Sequence, residues 1–448
     1  MGFLKFRPMA CNGRNFYYLL LSVIVFIIFL FLLPEVSFLV FSLTLAFFYK
    51  GSYILRFFRI SFLKIKKSAF VSINKLVSFF SPKAPRWIED QKNTVFKRAV
   101  GESTESIANN LRSPLQKGYE CLRLGIEQVN VDTSDLCSSI GGSSGTGRYN
   151  VNLLNIGLGD FAENTDRYSF ILSAAAKKLG CMVHTREQGL TSGLLRGGGD
   201  LIWRVREKDY SRHGNIENAL SDKVFLKTLT RSYIKLIEID IPVADLFNHQ
   251  SIFNLEKMTY FLEKLKSVAV EKPIGISLKS PDKIHLEAIF ENLWLRDIKI
   301  DFITIEERCC GTTESGINVL TDIEENFMKS INDAKQTLRY FELDTKIIAS
   351  GKFVSEFELL RALSFGADSC ITQTPFEWLL KGKLNSPLGS SADVKYLIEN
   401  FHTHTLKAAA KLMGECGFGG VDLVSAERFL KKVGNTSVKN LQNYYQIK

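Results

Sequence analysis

The sequence predicts an α/β protein built around a closed barrel of eight parallel strands. Short β-branched apolar runs alternate with helical stretches eight times after residue 148, and strands that are buried on both faces read as near-continuous apolar runs. Eight such units in roughly 230 residues match the usual size of a (β/α)8, or TIM, barrel, which carries its chemistry at the C-terminal ends of the strands. The predicted strands are Val151–Leu158, Cys181–Thr185, Leu201–Arg206, Ile234–Ile241, Pro273–Lys279, Ile300–Glu306, Thr345–Ser350 and Ala367–Gln373.

A long apolar segment, Phe16–Tyr49, precedes the barrel and is interrupted only by Pro34 and Glu35. Its first part is long enough to span a bilayer, and basic residues flank the segment on both sides. This pattern favours a transmembrane hairpin over residues 1–50 with both ends in the cytoplasm, since cytoplasmic flanks are enriched in Lys and Arg. A single tilted helix is the alternative. We therefore expect a membrane protein, in the inner membrane if the source is bacterial, with its barrel facing the cytoplasm.

The remaining regions are bounded by changes in composition. Residues 51–148 are predicted to form a basic juxtamembrane and pre-barrel helical segment, 149–385 the barrel, and 386–448 a C-terminal helical extension that ends in a polar tail. The formal net charge of +10 is concentrated next to the apolar segment, which indicates contact with anionic lipid rather than nucleic acid. The eight cysteines include no Cys-x-x-Cys pair, and neither a disulfide framework nor a metal site is indicated.

Several motifs in the barrel resemble the FMN-binding glutamate synthase family in their order and spacing. The run Gly198–Trp203 resembles the Gly-Gly-Asp-Leu-Ile-Trp run of that family, and Asn152–Ile156 resembles its first strand. Further matches are Ile234–Ile239, Lys272–Gly275, Ser350–Lys352 and Arg361–Asp368. The chain is thus identified as a divergent member, which implies a barrel that binds FMN and makes glutamate from 2-oxoglutarate and ammonia.

The resemblance places candidate cofactor-binding residues at the strand ends. Such a flavin site needs backbone N–H groups and a cation for the phosphate after strands 7 and 8, and a positive charge near the ring. The candidates are Ser350, Gly351, Lys352, Gly311, Thr312, Lys279, Glu187 and Thr372. No residue is assigned a catalytic role. A structural role is expected for His184 at the end of the second strand, with ligand contact as the alternative.

The chain departs from the family pattern at several of these positions. The strand-5 lysine falls on Ser277, and two glycines after strand 2 become Arg186 and Gln188. We expect Arg186 either to offer a new cation to an anionic ligand or to fill the cavity. The family's loop after strand 4, which by resemblance holds the 2-oxoglutarate side of the pocket, is missing after Asp240. Phe376–Val394 contains no cysteine, which argues against an iron–sulfur cluster because thiolates hold such clusters.

Two functions therefore remain open. One is a membrane-anchored, FMN-dependent oxidoreductase that resembles glutamate synthase and has a degenerate site. The other is a non-catalytic descendant, a membrane-tethered barrel that binds a small molecule or a protein partner. Flavin distinguishes them, because the enzyme must hold FMN in a reducible state and a scaffold need not.

Overall fold

The computed structural model describes residues 86–102, 120–142, 146–159, 165–206, 209, 220–243, 246–247, 254–269, 271–308, 317–384, 391–434 and 437–447. Among these residues, no helix combines the length and the apolar character needed to cross a bilayer. The predicted transmembrane hairpin and the basic segment that follows it, together covering residues 1–85, lie outside the described part of the chain.

The described chain is organised around the predicted barrel, whose eight strands are all parallel and close on themselves. In chain order the barrel strands are β4 (Leu154–Gly157), β5 (Val183–His184), β6 (Leu201–Val205), β7 (Ile234–Asp240), β8 (Ile274–Lys279), β9 (Phe302–Glu306), β10 (Lys346–Gly351) and β11 (Ser369–Thr372). Each falls within, or within one residue of, a predicted apolar run. The α/β barrel prediction is therefore confirmed. The strands are apolar along their length because both of their faces are buried.

Helices connect these strands and cover the barrel. They are α1 (Arg86–Ala99), α2 (Thr165–Leu179), α3 (Ser192–Gly197), α4 (Lys223–Leu229), α5 (Leu255–Val268), α6 (Lys283–Leu295), α7 (Ile317–Tyr340), α8 (Glu356–Ser364), α9 (Thr374–Leu384), α10 (Ser391–Glu415) and α11 (Leu441–Tyr445). Five of them begin at side chains that cap free backbone N–H groups: Thr191, Asp222, Asn254, Asp282 and Asn440. Such caps stabilise a helix start by about 1 kcal/mol.

The sequence predicts a helical pre-barrel segment, but part of this segment forms strands. Strands β2 (Cys137–Ile140) and β3 (Tyr149–Asn152) form an antiparallel hairpin. The predicted first strand, Val151–Leu158, is therefore divided between this hairpin and β4. Ile140 and Val151 pack with the lower side chains of the barrel interior. The hairpin thus closes the N-terminal end of the barrel, which short-range sequence periodicity does not reveal.

The C-terminal extension also differs from its prediction as a helix followed by a polar tail. Strands β12 (Phe429–Lys432) and β13 (Val438–Asn440) form a small antiparallel sheet with β1 (Glu120–Leu122). Buried Lys431 and Arg361 of α8 both pair with Glu120, at 3.4 and 2.8 Å. A charged residue of the polar tail is therefore buried because it pairs with Glu120, which lies far away along the chain.

Candidate functional site at the mouth of the barrel

The barrel mouth, the end formed by the C-terminal ends of β4–β11, contains a layer of buried polar side chains. Below it the interior is apolar, with Ile202, Leu236 and Phe302 among its members. The polar residues lie above these apolar side chains, and at most 1% of each is exposed to solvent. This interior polar layer consists of His184, Arg204, Glu238, Ser277, Thr304, Glu306 and Ser350. Buried polar groups are costly unless they are paired, so the contacts within the layer decide what the mouth can do.

Arg204 of β6 is the centre of the interior polar layer. Its Nε lies 2.7 Å from Glu238 Oε1 on β7, and its Nη1 donates to Glu306 Oε2 on β9 at 3.1 Å. Its Nη2 donates to Ser277 Oγ on β8 at 2.9 Å. A single guanidinium therefore connects four adjacent strands, and it uses the fixed fork of donors that makes arginine suited to buried carboxylates.

The charges of this layer are set by their surroundings. Burial alone would raise the pKa of Glu238, but the Arg204 charge and hydrogen bonds from His184 and Thr304 hold that pKa well below its usual range. Burial likewise opposes ionisation of Glu306, yet Arg204 and Arg186 lower the pKa of this carboxyl. Both carboxylates are therefore ionised at neutral pH and matched by cations within the protein.

His184 at the end of β5 is a structural member of the layer. Its Nε2 lies 2.8 Å from Glu238 Oε1, while its Nδ1 accepts a hydrogen bond from the backbone N–H of Arg186 at 3.1 Å. Because Nδ1 is an acceptor, the proton of the neutral ring is on Nε2 and is donated to Glu238. Burial lowers the pKa of His184 despite this carboxylate, so the ring is neutral and none of its nitrogens remains for a ligand.

Arg186 covers the mouth from above. Its Nη1 donates to Ser350 Oγ on β10 at 2.7 Å and lies 3.6 Å from Glu306 Oε1. On the way its Cδ passes 3.2 Å from the position that a Cβ would take on Gly157, at the end of β4. Of the two roles that the sequence leaves open for Arg186, filling the cavity is the one that this conformation supports.

The rim above this layer carries the predicted residues Lys279 and Glu187, which pair with each other. Their side chains are 55% and 57% exposed, and Lys279 Nζ lies 3.3 Å from Glu187 Oε1. Glu187 is also 3.7 Å from Arg204 Nη1. Asp240, at the end of β7, lies near the same charges, and burial raises its pKa to about 6.

The predicted phosphate corner after β10 is occupied by protein groups. The backbone N–H of Lys352 donates to Glu307 Oε2 at 3.0 Å. A Cβ on Gly351 would lie 2.9 Å from the Phe327 ring and 3.3 Å from Glu307 Oε2. The close approach that this glycine permits is therefore used by α7 and by a carboxylate, the opposite charge to the cation that a phosphate requires.

The remaining candidates are only partly placed. Thr372 ends β11, and its buried Oγ1 has no hydrogen-bond partner among the described residues. Gly311 and Thr312 lie outside the described residues. Sequence reasoning missed Arg204, Glu238, Glu306 and Asp240. The signal that could have found them is the presence of charged residues within the apolar runs that predict β6, β7 and β9.

Comparison with known proteins bears on the origin of this barrel. A model of the conserved region in glutamate synthase matches residues 242–376. The glutamate synthase large subunit-like protein YerD of Bacillus subtilis (strain 168) is 26% identical over 220 residues, and the match covers 42% of this chain and 42% of YerD. Both matches support a divergent member of the glutamate synthase family. The chain therefore spans about two fifths of this relative's length.

Solved structures are also similar to parts of the chain, at low sequence identity. A flavocytochrome b2 with sulfite bound has a TM-score of 0.45 at 12% identity and covers 83% of this chain and 87% of its own. The flavin-binding domain of baker's yeast flavocytochrome b2 has a TM-score of 0.45 at 11% identity, with 83% and 86% covered. Mandelate oxidase with (S)-2-phenylpropionate has a TM-score of 0.46 at 12% identity, with 79% and 98% covered.

The described residues of the barrel mouth do not fit FMN in this conformation. Ser277 stands where the resemblance places a lysine, and its hydroxyl is bonded to Arg204. Arg186 occupies the space above Gly157, and the Glu307 carboxylate occupies the corner where the phosphate would lie. These are three separate obstacles at the ring face, the ring's cation and the phosphate. Each arises from a side chain that another part of the mouth holds in place.

Proposed function

We propose that this chain is a membrane-tethered barrel of the glutamate synthase family that no longer makes glutamate and acts as a binding scaffold. The observation that carries the proposal is the filled barrel mouth. Arg204, Glu238 and Glu306 are fully buried and satisfy one another. The resemblance to the family implies a flavin site at the barrel mouth. In this chain, ion pairs of the protein itself occupy the mouth.

The energy of these contacts supports a permanent arrangement. Breaking one buried ion pair by removing a partner costs about 3–5 kcal/mol, because the remaining charge is left uncompensated. A ligand that displaced Arg204 would have to offset a cost of that size before it gained any affinity. A ligand held outside the mouth would not meet this cost. Small-molecule or protein partners are therefore proposed for the rim and the outer surface.

The substrate side of the mouth supports the same proposal. Strand β7 ends at Asp240, and helix α5 begins at Leu255. By resemblance, the loop that holds 2-oxoglutarate should lie in this interval, and the interval is too short to contain it. Since the loop and the ring's cation are lost independently, a single compensating change could not restore the reaction.

The rival function is an FMN-dependent oxidoreductase that makes glutamate from 2-oxoglutarate and ammonia. It is favoured by the position of Ser350–Lys352, which ends β10 beside β11 as a phosphate corner of a TIM barrel should. On this rival function, Lys352 supplies charge to the phosphate and Lys279 lies near the ring. It requires Arg186 and Glu307 to move away on binding, and it requires no iron–sulfur cluster.

The tether is part of the proposal and rests on the sequence of residues 1–85. The apolar hairpin and the basic stretch after it would hold the barrel at the cytoplasmic surface of a membrane, with anionic lipid as a partner. A scaffold gains from such a tether because confinement at a surface raises the effective concentration of partners there. Extraction of membranes with alkaline carbonate tests this, since an integral hairpin stays in the pellet and a peripheral protein is released.

The decisive experiment measures flavin and turnover on the full-length chain purified in mild detergent. The protein is incubated with FMN, passed through gel filtration and examined by visible absorption, and glutamate formation is assayed with 2-oxoglutarate, ammonia and dithionite. We expect no retained flavin bands and no glutamate. Retained flavin that is weakened by Lys352→Ala, with glutamate formed, would establish the rival. The exposed Lys395→Ala on α10 is the matched control.

A further inference from the structure

Arg186 differs from the other cations of the mouth, because it lies on top of the interior polar layer rather than within it. We propose that Arg186 is a removable plug, an intramolecular side chain that occupies the slot in which a flat heteroaromatic ring of the flavin class would lie. This inference rests on the proposed function, in which the wild-type mouth holds no flavin. It adds that one side chain is the main obstacle to the ring.

The backbone at this position has a conformation that suits glycine. Arg186 has φ +44°, in the left-handed region that residues with a Cβ seldom adopt. The resemblance places a glycine here. The turn has therefore kept the glycine backbone while acquiring a long side chain, so a change back to glycine removes the side chain and leaves the turn favourable.

The side chain of Arg186 lies where a ring would contact the strand ends. It leaves β5, passes beside Gly157 of β4 and ends at Ser350 of β10 with a 2.7 Å hydrogen bond. Gly157 presents bare backbone at this point, and the Ile371 side chain and the Thr372 carbonyl lie 3.1 and 3.3 Å from its Cβ position. Gly157 therefore lies in close contact on three sides, and the Arg186 side chain is the one of these neighbours that reaches it from the top of the mouth.

The direct hydrogen bonds of the layer beneath do not depend on the Arg186 side chain. Glu306 is 3.6 Å from the Arg186 guanidinium but accepts a direct hydrogen bond from Arg204 at 3.1 Å. Glu238 is hydrogen-bonded to Arg204, His184 and Thr304. His184 accepts its bond from the Arg186 backbone, which every substitution except proline retains. The side chain can therefore leave without breaking a direct hydrogen bond to either carboxylate, and the charge that it removes is the more distant of the two cations beside Glu306.

The test uses lumiflavin, a flavin ring without ribityl phosphate, so that the Glu307 carboxylate at the phosphate corner plays no part. Lumiflavin fluorescence is titrated with full-length wild type, Arg186→Gly and Arg186→Asn, since asparagine tolerates the left-handed region. Arg206→Ala is the matched control. It removes a cation from the same rim, but its guanidinium faces Asp209 at 2.9 Å rather than Gly157.

We expect both variants to remain folded and to show saturable quenching, with a dissociation constant lower than that of wild type by about tenfold or more. Folded variants without quenching would overturn the plug. Unfolding of both variants would also overturn it, because Arg186 would then be part of the core. Equal quenching by Arg206→Ala would overturn it as well, because loss of a positive charge at the rim would then be sufficient for binding. Tight binding by wild type would overturn the proposed function as well, whereas failure of the variants alone leaves it intact.

Discussion

Arg204→Met offers the sharpest test of the interior polar layer, because methionine keeps an apolar side chain of comparable length and removes only the charged head. The change leaves Glu238 and Glu306 in the barrel at no more than 1% exposure. Glu238 retains hydrogen bonds from His184 and Thr304, and Glu306 retains Arg186 at 3.6 Å. We therefore expect a loss near that of one broken buried pair, about 3–5 kcal/mol.

The loss should show in thermal unfolding and should depend on pH. For a large domain each kcal/mol lowers Tm by roughly 2–4 °C, so a fall on the order of 10 °C is expected at pH 8. In wild type the pKa values of Glu238 and Glu306 are lowered, so their pairing contributes fully above the ordinary value of 4.5 and is lost as pH falls below it. In the variant, burial raises these pKa values instead. The carboxyls then bind protons as pH falls, so the gap to wild type should narrow between pH 8 and pH 5.

Two comparisons make this measurement specific. The triple variant Arg204→Met, Glu238→Gln, Glu306→Gln removes the stranded charges and should recover most of the lost stability. Lys235→Met breaks a partly exposed pair with Asp200 and should cost less than about 1 kcal/mol. A Tm for Arg204→Met within two or so degrees of wild type at pH 8 would refute the claim that Arg204 stabilises the interior polar layer.

Three other changes test neighbouring parts of the chain. Asp240→Asn should match wild-type stability near pH 4 and exceed it above pH 6, because burial raises the Asp240 pKa to about 6 and its ionisation destabilises the fold as pH rises; a Tm–pH profile checks this. Arg98→Met should cost about 3–5 kcal/mol in urea unfolding by stranding buried Glu356, with Glu356→Gln added on the same background as the rescue. Gly275→Ala should cost about 1–3 kcal/mol, since its Cβ would lie 2.5 Å from the Phe302 ring in the barrel interior, and Phe302→Leu should relieve part of that loss in the same assay.

Much of the fold could be predicted from local sequence patterns. Each barrel strand is a short apolar run, and the helix that follows it shows its own period, so eight repeats define a closed parallel barrel. The hairpin β2–β3 and the sheet β1–β12–β13 could not be predicted in this way. Strands β1 and β12 are distant in sequence, as Glu120 and Lys431 show, and all of these strands are short and show no distinctive alternation.

The sequence located the candidate site, but it did not reveal that the protein's own side chains fill it. The exchange of a lysine for Ser277 and of a glycine for Arg186 is visible in the residues themselves, and both changes indicate an altered mouth. The sequence could not tell whether Arg186 binds a ligand or fills the cavity. That depends on whether Ser350, which is 164 residues away along the chain, presents its hydroxyl within reach of the guanidinium.

The sequence by itself determined the strand–helix order, the family resemblance and the loss of particular glycines and cysteines, because these depend on residue type and near-neighbour spacing. Only the tertiary structure decided that Arg204 joins β7, β8 and β9 and that the mouth is filled. Alternation along a strand tells which side chains point inward. Closure of the barrel brings inward-pointing charges of opposite sign from β6, β7 and β9 together, and burial then requires them to pair.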